Sequence, residues 1–166
     1  LSSLLNAEEL ADLDAAARTV GATAAQLDPL RPWLASLQLA LASIQKAGYV
    51  AANGGDQILH ARAAAAGKPI KGFETAPQQI GFIADMSEPA QLAMLRSSLK
   101  EFDQADAFLN RMVSAWATGD VDGLDVLIGQ EMKSESAEMY AVMLTSRNEN
   151  WVDQIQTLLA GSGTAF

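Results

Sequence analysis

The chain has 166 residues, 49% of them hydrophobic and 19% charged, which is enough apolar material for one packed core and excludes a disordered polyelectrolyte. A formal net charge of −9, with the 11 Lys and Arg residues scattered, excludes a surface built to grip nucleic-acid phosphates and disfavours an anionic membrane. Without cysteine there are no disulfides or thiolate metal sites, and the longest apolar run, 34–44, is too short and too interrupted by Ser36, Gln38 and Ser43 to cross a bilayer.

Helical spacing dominates along the chain, and strand alternation is scarce. Asn6 is placed to cap a first helix that carries Leu10, Leu13 and Ala17 on one face and ends near Gly21. Thr23 opens a short second helix. Pro29 and Pro32 both suit the first turn of a third, where a missing amide hydrogen costs little. From Trp33 to Ile44 this helix carries Leu34, Leu37, Leu41 and Ile44 on one side, and it stops at Gly48.

The Gly54-Gly55 pair interrupts the chain before an alanine-rich helix, with Asp56 at the capping position or facing the positive helix end; Gly67 and Pro69 end that helix. Lys68 to Phe73, with Ile70 and Phe73 as its larger apolar residues, reads as a short buried strand that places Glu74 at its carboxyl end. In open α/β sheets that edge gathers ligands and reacting groups. Thr75 and Gln78 then form a capping box, with Pro77 in the first turn of a helix reaching about Ala84.

Ser87 and Pro89 open what the pattern makes the longest helix, since Leu92, Leu95, Leu99, Phe102, Ala105, Leu109, Met112 and Trp116 recur at intervals of three or four. Gly119 ends it, Asp120 or Asp122 caps a short helix through Ile128, and a last helical region runs from about Ser136 to Ala160. Gly161 and Gly163 turn the chain into a second strand opening at Thr164 to Phe166. No solenoid repeat, low-complexity tail or linker divides the chain, so residues 1–166 form a single helical region.

Glu74 and Arg147 are the candidate catalytic residues. At a strand end Glu74 can serve as a metal ligand, a general base or a clamp for a metal-bound water; it can equally cap the helix starting at Thr75. Arg147, one turn from Leu144 and Trp151, can hold a substrate carboxylate or an oxyanion, or form an internal ion pair with Glu74. Both readings put Arg147 beside Glu74. Asp56 is expected to cap its helix; His60 one turn on could share a metal with it, but a third ligand is missing, so His60 is a surface or packing residue. Trp33, Trp116 and Trp151 are expected in the core, the methionines as gap fillers, and Glu8-Glu9, Asp103-Asp106 and Glu131-Glu135 on solvated faces. There is no phosphate-binding glycine loop, nucleophile elbow, helical histidine pair or calcium loop.

An ordered series of phrases carries more information than any one of them: Glu74-Thr75 followed by Gln78-Gln79, Trp116 ahead of Gly119-Asp120, Tyr140 leading through Leu144 to Arg147-Asn148 and Trp151, and Gly163-Thr164-Ala165-Phe166 at the end. From about Pro32 onward the chain thereby resembles the TraB/GumN family (TraB/PrgY/GumN), which includes the Tiki-type proteases. The resemblance implies a metal-dependent, peptidase-like hydrolase, with Glu74 and Arg147 lining its site and a divalent metal in the full-length protein. It also implies export, to the periplasm.

The family's two glycine-x-x-histidine motifs are absent, and His60, the single histidine, lacks the required glycine before it. The resemblance therefore implies an interior part of a larger α/β domain, inactive alone, with metal ligands beyond both ends. The fold expectation is mainly α with one or two short strands. From a different functional class comes a non-catalytic helical module whose groove, between the long helix and the last helix, receives a peptide or protein partner. In either case uncovered apolar surface favours self-association.

Overall fold

Local capping chemistry starts several of the helices where the sequence places them. The computed structural model describes residues 1–100 and 102–162, without the side chain of Asp103. Helix α1 spans Ala7–Thr19 behind a complete capping box: the Asn6 side chain accepts from the amides of Glu8 and Glu9, and Glu9 accepts from the Asn6 amide. A four-residue α2 (Ala24–Leu27) follows, then α3 (Pro32–Lys46) with Pro32 in its first turn; Pro29 lies in the preceding turn. Gly48, at φ +86°, supplies the left-handed residue that turns the chain out of α3.

Next come a 3₁₀ turn (Ala51–Asn53), α4 (Gly55–Ala65), an irregular connector, α5 (Ala76–Ala84), and α6 (Glu88–Lys100). A second 3₁₀ turn (Phe102–Gln104) leads into α7 (Ala105–Thr118), and α8 (Val121–Leu124) continues through a π-helical segment (Asp125–Gln130) into α9 (Glu131–Glu135). Then α10 (Ala137–Tyr140), a second π-helical segment (Ala141–Thr145) and α11 (Ser146–Leu159) make one nearly continuous helical run, as the sequence pattern expects.

Two cores organise these helices. In the first, Leu13, Ala16 and Ala17 of α1, Leu27 of α2, Ala35 and Leu39 of α3, and Leu95 and Leu99 of α6 are buried together. Inside it the Ser36 and Ser98 hydroxyls meet at 2.7 Å, and Ser98 donates on to the Met94 carbonyl, so these two hydroxyls are satisfied where α3 meets α6. Arg96 of α6 ties back to Glu9 of α1 at 2.7 Å. The second core gathers Met86, Ala90 and Met139 with Ile83, Met94, Met132, Val142 and Met143. Five of the six methionines therefore gather between α5, α6, α9 and the last helical run, where flexible thioethers are suited to fill gaps. Ser87 joins these elements by donating through both its amide and its hydroxyl to Glu138.

Several expectations are corrected. Lys68 to Phe73 is not a strand, and no strand occurs among the described residues: without a second extended segment to pair with, nothing satisfies a strand's N–H and C=O rows. The second expected strand, at Thr164 to Phe166, lies outside the described residues. The longest helix is broken into α6 and α7, and the break keeps Phe102 against the first core while turning Trp116 out to 71% exposure, so Trp116 is not a core residue.

On α3 the buried stripe is Ala35, Ser36, Leu39 and Ser43 rather than Leu34, Leu37, Leu41 and Ile44; small residues let α6 approach closely, and Leu41 is left half exposed. Asp56 does not cap α4, whose cap position is Gly54; Asp56 sits exposed in the first turn, where only the helix dipole favours it. His60 is exposed too, in a helix with no buried residue. Of the charge pairs, Glu9 and Glu135 act as inter-helix links, to Arg96 and Ser97, rather than as purely solvated groups.

Candidate functional site

The connector 66–75 passes from the end of α4 to the start of α5, and its geometry is set at the α5 end. The Thr75 side chain accepts from the Gln78 amide, and the Gln78 side chain accepts from the Thr75 amide at 2.8 Å, which completes the capping box and points the chain into α5. Glu74 precedes this cap. It does not cap α5; its side chain turns instead toward α11.

There it meets Arg147. The guanidinium donates from Nε to Glu74 Oε1 at 2.9 Å and from Nη2 to Oε2 at 2.7 Å, a two-pronged pair with only 7% of the Glu74 side chain and 19% of the Arg147 side chain exposed. Trp151 Nε1 donates to Oε1 at 3.0 Å, and Gln79 Nε2 to Oε2 at 3.3 Å. Each carboxylate oxygen thus accepts two hydrogen bonds. Next to it, Gln154 Nε2 donates to the Phe73 carbonyl at 3.1 Å, and the Phe73 ring lies tilted against Trp151 with centroids 6.3 Å apart.

Aromatic faces line the arginine on two sides. Its guanidinium carbon is 5.4 Å from the Phe82 ring centroid and 5.1 Å from that of Trp151, within cation–π range. A long contact of 3.5 Å joins Nη1 to the Met143 carbonyl, which leaves N–H groups of the guanidinium without strong partners. The paired guanidinium holds the Glu74 carboxyl below the usual carboxylate range against the opposing pull of burial, with Gln79 and Trp151 adding to the effect. Reciprocally, the hydrogen bonds to Glu74 raise the Arg147 pKa.

The structure thus brings the two sequence candidates together, while Asp56 and His60 stand apart on exposed α4. Sequence reasoning did not assign Gln79, Phe82, Trp151 and Gln154 to the site. A signal existed: Arg147, Trp151 and Gln154 are spaced i, i+4, i+7 on α11, and Gln79 and Phe82 are spaced i, i+3 on α5, so each set shares one helix face. Beside Phe82, a shallow depression of about 540 Å³ runs along Gly81, Asp85, Met86, Glu138 and Val142.

A divalent metal does not fit these residues. No three His, Cys, Asp or Glu side chains come together among the described residues, and the Glu74 oxygens already accept from four donors. The model of the TraB/PrgY/gumN family matches residues 1–166, and the chain belongs to that family. The match includes the segment before Pro32 as well as the phrases around Glu74 and Arg147. No curated protein and no solved structure matches the chain significantly.

Proposed function

We propose that this chain is the helical recognition part of a metal-dependent, peptidase-like hydrolase, in which the Arg147 site binds an acidic group of the substrate while the bond-breaking chemistry belongs to residues other than those described. The observation that carries this reading is the saturated Glu74 carboxylate. A group accepting four hydrogen bonds is not free to ligate a metal or take a proton, whereas the guanidinium beside it keeps N–H groups, at Nη1 above all, without strong partners and able to hold a further carboxylate. Family membership supports the hydrolase part by analogy, since the family includes the Tiki-type proteases, and export to the periplasm belongs to the same proposal.

In the full-length protein, Arg147→Ala is expected to raise KM for peptide substrates while bound metal per chain stays constant. Glu74→Gln is expected to leave metal content unchanged as well. Loss of metal in Glu74→Gln would assign that carboxylate to the metal site and overturn the recognition reading.

A second reading, a non-catalytic binding module, draws on a separate observation: Val152, Ile155, Leu158 and Leu159 of α11 and Trp116 of α7 are large apolar side chains left 41–78% exposed. Activity that survives both substitutions unchanged, with intact binding of a protein partner, would place this reading first.

A further inference from the structure

The groups at the Arg147 site divide into two sets by the rigidity of what carries them. Every donor to Glu74 and to the Phe73 carbonyl comes from a regular helix: Gln79 from α5, and Arg147, Trp151 and Gln154 from α11. Both accepting residues belong to the irregular connector. Between Pro69 and Glu74 the described hydrogen bonds include none from a backbone amide, and the Gln154 contact is the one made to a backbone carbonyl. The connector is therefore docked by one carboxylate, one carbonyl and one aromatic ring.

What precedes it is equally lightly held. Helix α4 buries no residue, and its Ile58 and Leu59 are 42% and 65% exposed. Eleven residues are too few for a stable isolated helix in water, so docking of the connector at its far end limits the freedom of the whole segment.

From this division we infer that the α5–α11 face is a receptor for an aromatic-acidic peptide, and that Phe73-Glu74 is its resident internal ligand. Three features define what the face accepts. The Arg147 fork with the Trp151 and Gln79 N–H groups takes a carboxylate; Gln154 takes the carbonyl of the residue before it; the Trp151 ring takes that residue's aromatic side chain. A peptide with this pair competes with the connector, and its binding releases residues 66–74 together with α4. This inference rests on the recognition role proposed above, but it does not require hydrolysis.

The test uses the full-length protein carrying Glu74→Ala, which vacates the carboxylate position, and two probes, acetyl-Gly-Phe-Glu-Thr-amide and the same peptide with Gln for Glu. Calorimetric titration is expected to show the Glu peptide binding at least about tenfold more tightly than the Gln peptide, because charge-assisted hydrogen bonds distinguish them. Adding Arg147→Ala is expected to abolish that preference. A Glu74→Ala protein with native circular dichroism that binds neither peptide, or both equally, overturns the inference.

Should Glu74→Ala not fold, the unaltered protein reports instead through trypsin cleavage after exposed Lys71. Excess Glu peptide is expected to accelerate this cleavage and the Gln peptide to leave it unchanged; equal rates with both overturn the inference. A peptide that binds and remains intact supports the receptor while removing the peptidase reading, so the two ideas fail separately.

Discussion

The α1–α3–α6 core and the junction between the connector and α11 are held by different forces. In the core, Leu13, Leu39 and Leu95 are at most 1% exposed and depend on close packing, with polar links such as Ser36–Ser98 in a supporting role. At the junction almost nothing is fully buried, and a directional cluster around one carboxylate holds the chain. Packing of the first kind yields when volume is removed. A cluster of the second kind yields when one partner is lost, because the remaining charge is left desolvated and unpaired.

The largest effect is expected in the core. Leu95→Ala removes a fully buried side chain where α6 meets α1 and α3, and should lower global stability by about 3–4 kcal/mol in denaturant titration. A loss under about 1 kcal/mol would mean that this core is not close-packed.

Arg147→Ala comes next. It strands a nearly buried carboxylate, so a loss of about 2–3 kcal/mol is expected, between the values for exposed and fully buried pairs. Unlike Leu95→Ala, it should raise trypsin cleavage after Lys71 more than elsewhere, because the disruption is local.

Glu74→Gln sharpens the comparison through pH. The Glu74 carboxyl is held below its ordinary value by Arg147, so its contribution is fully present above the unfolded-state pKa of about 4.3 and is lost as pH falls through the lowered folded value. The Tm difference between the unaltered protein and Glu74→Gln is therefore expected at pH 7 and should close in acid. A difference independent of pH from 7 to 3 would remove the charge-based account. The smallest effect belongs to Arg96→Ala. The Arg96 side chain is 48% exposed, and although its ion pair with Glu9 links α6 to α1, its loss should leave Tm nearly unchanged.

Helix starts were legible in the sequence because capping is local chemistry: Asn6 with Glu9, and Thr75 with Gln78, act within four residues of chain. The convergence of Glu74 and Arg147 was legible for another reason. An arginine between Leu144 and Trp151 on a helix is driven to partial burial and then requires a carboxylate.

What was not legible depends on neighbours distant in sequence. In the Lys68 to Phe73 segment Ile70 and Phe73 suit a strand while Pro69 and Gly72 do not, and a strand exists only if another pairs with it. On α3, leucine spacing pointed to the wrong face, since close approach of α6 selects the small residues Ala35, Ser36 and Ser43. Trp116 has the register of a core residue, but the turn at Phe102–Gln104 rotates it away, and periodicity alone does not reveal such a break.

A double-mutant cycle on Glu74→Gln and Arg147→Gln, measured by chemical denaturation at pH 7, probes the central pairing without relying on any assay of function. A coupling energy of about 2 kcal/mol is expected if these two side chains hold the connector against α11. Single-mutant losses that add to within about 0.3 kcal/mol would show that the two side chains act independently, and would contradict the account.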